Sequence, residues 1–332
     1  MDINYLDYLD DDLNYDWIEQ TIRVPKRYLR NMQNSIEGFS DLQFFQRFRF
    51  PKYIVLEIIL PMIYLYNMDC NFDRRGLKID NITKVLIALR FNASGNDQRV
   101  NGDTLGYSQA SVSIVVKEVS RLLAKCGKKW IQFPRAPNLQ DTKEQFYLIG
   151  EFPGVIGAID CTHVPIKSPG GDNAEIYRNR KGWMSLNVQI VCGPKMQIFD
   201  IVCRWPGSVH DSRIYNNSRV KLLIESNALA GIAGHLIGDS GYPQSKFLYT
   251  PKLNPSTAAE NKYNKSHIKT RNVIERVNGV LKSRFRRLCR KLHLQIENEE
   301  ENVRLPRNDV LAIPDNRLGN IIKAAFIERH FT

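Results

Sequence analysis

The 332-residue sequence has no Cys-x-x-Cys pair; its six cysteines (70, 126, 161, 192, 203, 289) stand singly. Scattered thiols of this kind exclude a zinc ribbon and a dense disulfide framework, and they fit a reducing compartment. A long apolar run is missing too. The most apolar window, Tyr53 to Tyr66, holds Glu57 and Pro61. It is too short to span a bilayer, so a buried helix is expected there and no membrane partner. The opening Met-Asp-Ile-Asn-Tyr-Leu-Asp lacks the apolar core of a signal peptide. Residues 1–20 contain no Lys or Arg at all, against seven acids.

That local absence sharpens the charge of everything else. With those seven removed from the 35 acids, 28 remain against 47 bases, a balance of +19 beyond residue 20. An excess of this size predicts a polyanionic partner, with nucleic acid foremost. A hydrophobic content of 43% is enough for one large or two medium cores.

Periodicity divides the chain into four stretches. Residues 1–40 are expected to be a flexible acidic tail. Residues 41–140 follow a helical pattern, closing in a Pro134–Asp141 linker. Within them, Gly102 to Leu123 gives a short helix, a turn at Gly106-Tyr107, an N-cap at Ser108 and a longer helix. Val112, Val115, Val116, Val119 and Leu122 supply its buried face. This is a helix-turn-helix pattern, with Ser108, Gln109, Ser111 and Ser113 opening a candidate DNA-recognition helix. Over 141–292 the pattern becomes α/β, with short β-like runs at Val155–Ile159, Val164–Ile166, Leu186–Cys192, Ile198–Cys203 and Leu236–Ile237, then a helix at 271–288. Residues 293–332, with Glu297, Glu299, Glu300 and Glu301, are expected to form an acidic tail.

Four acids stand out. Asp160 closes the apolar run 154–160, with Cys161-Thr162-His163 expected to turn a hairpin around it, and Asp239 closes 235–239. Glu275 lies on an amphipathic helix, on a stripe with Arg271, Lys282 and Arg286 beside the apolar face. Asp211 follows the loop 204–210 and is a candidate further ligand. Two strand-end carboxylates plus one on a helix suit hard divalent cations, Mg²⁺ or Mn²⁺, in phosphodiester cleavage. Arg178, Arg180, Lys181, Arg204, Arg213, Arg271, Lys282, Arg284, Arg286 and Arg287 are candidate contacts to a DNA backbone. His163 and His210 could assist as acid or base. Gly238-Asp-Ser-Gly-Tyr-Pro243 also evokes a serine-hydrolase signature. Ser240 would then be a nucleophile needing a His and an Asp, but the disulfides and all-β pattern of such enzymes are lacking.

The runs Gly157–His163, Tyr177–Gly182, Leu186–Gln189, Trp205–Arg213, Gly238–Pro243 and Arg271–Arg276 resemble the PIF/Harbinger transposase-derived nuclease family of DDE endonucleases. The 35 residues between Asp239 and Glu275 match the family's spacing. The resemblance implies a ribonuclease H-like catalytic domain, a mixed sheet flanked by helices, behind an all-helical, helix-turn-helix-like domain. It implies that Asp160, Asp239 and Glu275 are catalytic, that Asp211 also binds metal, and that the chain cuts DNA by a two-metal DDE mechanism. It further implies action in the nucleus beside a Myb-like DNA-binding partner. Past Arg287–His293 the chain departs from the family, implying loss of a packing helix. A shortened scaffold of that kind would suit a domesticated DNA-binding protein without turnover. Ala324–Phe331 resembles the family's C-terminus.

Overall fold

The computed structural model describes residues 36–64, 79–135, 138–226, 234–292 and 317–332. The acidic stretch 1–35 and the glutamates near 300 lie outside the described residues.

The first half is helical. Helix α1 (Asp41–Phe48) starts at a capping box, where Ser40 and Gln43 satisfy each other's backbone amides. Helix α2 (Leu60–Tyr64) is entered through a wide π turn over Ile54–Ile59. Pro61 has no N–H to give to Glu57, and the Leu60 amide bonds Val55 O instead, which widens the ladder. Helix α3 (Asn81–Ser94) is capped by Asp80 and ends at Gly95, whose φ is 68°. Helices α4 (Gln98–Leu105) and α5 (Gln109–Trp130) form the expected hairpin. A Cβ on Gly102 would lie 2.4 Å from Tyr107 O, so only glycine allows so tight a turn. Val112, Val115 and Val119 of α5 are fully buried against Phe44, Val55, Ile63, Val85 and Ile87.

Helix α6 starts at Asn138 (Asn138–Gly150), inside the span expected to be linker. Asp141 then lies in its first turn, where the helix dipole favours a carboxylate. A five-stranded sheet follows, in the order β3-β2-β1-β4-β5. Its members are β1 (Val155–Pro165), β2 (Ser185–Cys192), β3 (Ile198–Pro206), β4 (His235–Ile237) and β5 (Leu248–Tyr249). The β1-β2-β3 meander is antiparallel; β4 and β5 add in parallel. Helices α6, α9 (Ala258–Arg284) and α10 (Arg317–Phe331) contribute to the core on one face. Helices α7 (Asp211–Asn216) and α8 (Arg219–Glu225) pack on the other, with Tyr215, Val220 and Ile224 against Ile159 and Val191. The chain is thus mixed α/β, a mixed sheet flanked by helices. No described helix is long and apolar enough to cross a membrane.

Two expectations are corrected. The hairpin around Asp160 does not exist, because β1 runs unbroken through Cys161-Thr162-His163, paired with β2 from Ala158 to Pro165. Both faces of this central strand are covered, so polar side chains can follow apolar ones without a turn. The tail expected over 293–332 is not a tail throughout. Helix α10 buries Ile327 and Phe331 beside Phe152 and Tyr263. Its Lys323 Nζ donates to Thr250 Oγ1 at 3.3 Å and Pro251 O at 3.2 Å. A packing helix is therefore present beside α9, despite the departure past His293.

Candidate active site

Sheet register brings two of the four acids together. β4 runs parallel to β1 with Ala158 opposite Ile237. Two residues further along, Asp160 and Asp239 emerge side by side. Asp160 lies on the α9 face, where Asn278 Nδ2 donates to its Oδ2 at 2.9 Å. Asp239 Oδ1 accepts the Gly241 amide at 3.0 Å. The third, Asp211, opens α7. Its Oδ1 accepts Asn187 Nδ2 at 2.9 Å, and the same amide also donates to Val209 O at 2.9 Å. A Cβ built on Gly241 would lie 3.1 Å from Asp239 Oδ1 and 3.4 Å from Asp211 Oδ2, so both carboxylates face one point of backbone.

Electrostatics show how close this grouping is. Burial, then the Asp239 and Asp211 charges, push the Asp160 carboxyl up to about 7, against the lowering pull of Arg271. Asp239 is also raised, by burial first and by Asp211 among the charges, with the Gly241 amide opposing. Ionising Asp160 in this setting costs about 4 kcal/mol, in order of magnitude, relative to a free carboxyl. Like-charged carboxylates held this way bind protons or cations.

Glu275 is placed differently. It lies on α9 one turn from Arg271, which pairs with it and also approaches Asp160, Arg271 Nη1 to Asp160 Oδ1 being 3.8 Å. Its side chain is 50% exposed, against 18% for Asp160. The guanidinium thus links the helix acid to the strand acid. Among the described residues no group of three or more His, Cys, Asp or Glu side chains is placed to hold a metal ion as the structure stands.

The donor set nonetheless fits a hard cation. Asn187 and Asn278 each donate an amide N–H to one of the site's acids, and the amide oxygen of each is buried with no hydrogen-bond donor. Carboxylate and amide oxygens of this kind suit Mg²⁺ or Mn²⁺. Neither asparagine stood out in the sequence. The signal available for Asn187 was a polar residue inside an apolar strand.

Around this centre, His163 Nδ1 bonds Ser185 Oγ at 3.0 Å, and burial holds its pKa low against the opposing pull of Asp211. Lys282 Nζ donates to Thr162 Oγ1 at 2.5 Å and His163 O at 3.1 Å. Cys161 Sγ and Tyr242 Oη lie 3.2 Å apart, and burial raises both groups. Ser240 is exposed and bonds no histidine among the described residues.

Several of the predicted DNA cations make contacts within the chain. Arg178 pairs with Glu175, Nε to Oε2 at 2.7 Å. Arg284 donates to Arg49 O at 2.6 Å between the Phe45 and Phe50 rings, and Arg287 covers Phe91. These two tie α9 and the turn after it to the N-terminal helices. Arg204 lies over Trp205 and donates to Asn217 O at 3.3 Å. Arg180 contacts His210 and lowers Asp239 through its charge, and Arg271 serves the acids. Arg286 and Lys181 are exposed, Arg213 less so. In the helical hairpin, Ser108 Oγ accepts the Ser111 amide at 3.1 Å and pairs with its hydroxyl. Gln109 accepts from Arg99 at 3.2 Å, and Ser113 is exposed.

The order strand acid, second strand acid, helix acid can now be compared with known proteins. A family model described as DDE superfamily endonuclease matches residues 159–325. The chain belongs to this family. It is 38% identical over 214 residues to "Putative nuclease HARBI1" of Rattus norvegicus, covering 64% of this chain and 60% of that one, and equally similar to the Homo sapiens protein. "Protein ALP1-like" of Arabidopsis thaliana is 27% identical over 227 residues, 64% of this chain and 55% of that one. The chain thus spans about three fifths of the length of the curated HARBI1 relatives it matches. The chain shares with these relatives a Harbinger transposase descent. No solved structure matches it.

Proposed function

We propose that the chain is a divalent-metal-dependent DNA endonuclease of Harbinger transposase descent, acting through DDE chemistry with two metal ions. The observation that carries this reading is the convergence of Asp160, Asp211 and Asp239, close enough that Asp239 and Asp211 raise the pKa of Asp160 and Asp211 that of Asp239, in a family whose model describes endonucleases. Asp160, Asp211 and Asp239 would hold Mg²⁺ or Mn²⁺, with Glu275 completing the set. Such ions supply charge neutralisation at a phosphate and a water of lowered pKa.

The protein's own residues prepare that chemistry. Asn187 and Asn278 fix the rotamers of Asp211 and Asp160. Lys282 fastens α9 to β1, so helix and strand acids keep one spacing. The antiparallel meander followed by parallel strands supports a ribonuclease H-like fold for the unit beginning near 141. Helix α10 belongs to that unit, and the helices of 41–140 form a separate helix-turn-helix-like domain. The excess of basic residues supports DNA as substrate, and with it action in the nucleus and a Myb-like DNA-binding partner.

A second reading, a DNA-binding protein without turnover, is favoured by one contact: Glu275 is paired with Arg271. Incubating the chain with supercoiled plasmid in Mg²⁺ or Mn²⁺, beside Asp239→Asn, separates the two. Metal-dependent nicking lost in the variant supports the nuclease. Plasmid binding without nicking in either metal supports the second reading.

A further inference from the structure

Helix α9 carries, on the edge next to Glu275, a row of exposed residues that neither the core nor the acid site uses. Lys265, Lys269, Asn272 and Arg276 follow at intervals of four, three and four, so they fall on one edge of the helix. The three cations span about 16 Å along the axis at 1.5 Å per residue. No described carboxylate lies within 4.0 Å of any of them, whereas Lys252 and Arg271 are both paired. Lys269, Asn272 and Arg276 line an open depression of about 570 Å³, which Glu275 also borders.

Gly279 continues the row one turn further. It sits inside a 27-residue helix, exposed, with nothing within 4 Å of where its Cβ would be. Glycine there costs roughly 1 kcal/mol relative to alanine, and no neighbour within the chain requires it. An open, side-chain-free step at the end of a cationic row is what the close approach of another backbone requires.

We propose that this edge of α9 is the track that holds the sugar-phosphate backbone of a DNA duplex beside the carboxylates, with Lys269 and Arg276 contacting phosphates and Gly279 admitting the strand. This rests on the nuclease reading for the identity of the polyanion. The row was not conspicuous in the sequence, where lysines at 265 and 269 lie outside the helix expected to start at 271.

The test is binding of a fluorescein-labelled DNA duplex to the full chain in EDTA, followed by anisotropy from 50 to 300 mM KCl. Lys269→Gln with Arg276→Gln should lower the slope of log affinity against log salt by about 2, close to 0.9 per lost phosphate contact. Gly279→Leu should weaken binding at least fivefold while leaving thermal unfolding unchanged or raised. A control pair, Lys195→Gln with Lys246→Gln, removes the same charge elsewhere and should leave the slope within 0.5 of the parent. An unchanged slope in the α9 pair, an equal loss in the control pair, or full binding by Gly279→Leu would overturn the proposal. Because EDTA prevents metal-dependent cleavage, a failed nuclease reading would show as absent nicking with the binding pattern intact.

Discussion

Two histidines buried behind the sheet make the fold acid-sensitive, and the effect can be sized. His235 and His267 flank Phe152, with ring centroids 5.8 and 5.9 Å from it, and each has one ring nitrogen buried without a partner. Burial drives both pKa values down to about 3 from 6.5, and positive neighbours add to the shift. Between those values the unfolded chain binds protons that the folded chain refuses, so stability is complete above 6.5 and falls as pH drops towards 3. At pH 5 the linkage cost is about 2 kcal/mol for each histidine, in order of magnitude. Urea unfolding of the parent and of His235→Phe, each at pH 7 and pH 5, isolates one of them. The phenyl ring suits a site formed by Phe152, Tyr249 and Phe326, although it forfeits the imidazole's bond to the Pro153 backbone. Whatever the variant's stability at pH 7, its loss on going to pH 5 should be smaller than the parent's by about 2 kcal/mol. Asp160, whose raised pKa acts in the opposite direction, contributes equally to both proteins and cancels. Equal pH dependence in the two would refute the assignment of that share of the acid sensitivity to His235.

Other outcomes follow from the packing and the site. Phe331→Ala should cost about 3–5 kcal/mol, because α10 seals the core with this side chain, and a fall of less than 1 kcal/mol in chemical unfolding would show α10 to be dispensable. Asn187→Leu should cost about 1–3 kcal/mol, since it strips hydrogen bonds from Asp211 and Val209 O, and unchanged urea unfolding would contradict that. Asp160 resists ionising below about 7, so Mn²⁺ should raise the melting temperature more at pH 8 than at pH 5.5, where protons compete. Differential scanning fluorimetry would expose the opposite order.

The sequence showed what depends on local chemistry. Ser108 as cap, Gly106 as terminator and the valines of α5 obey helix rules that need no distant partner. Asp239 was legible because a short apolar run followed by Gly-Asp-Ser-Gly can hardly continue as strand. Asp160 was singled out for the wrong local reason. Its strand does not end there, because β2 and α9 satisfy both faces of the polar stretch, a long-range fact without a local trace. Helix α10 was missed although Ile322, Phe326, Ile327 and Phe331 follow helical spacing, since the glutamates before it dominated the reading. The contacts of Arg284 with Arg49 O between two aromatic rings and of Arg287 with Phe91 left no trace in the sequence, because charge alone does not show which carbonyl or ring a guanidinium will meet.

The central claim is that Asp160, Asp211 and Asp239, with Glu275, bind divalent metal. Electron paramagnetic resonance of free Mn²⁺, titrated with the full chain at pH 8, tests it without reference to DNA. The parent should remove Mn²⁺ from the free signal in saturable fashion, and Asp160→Asn with Asp239→Asn should not, while both fold to the same secondary structure. Equal uptake by parent and double variant, or none by either, would contradict it.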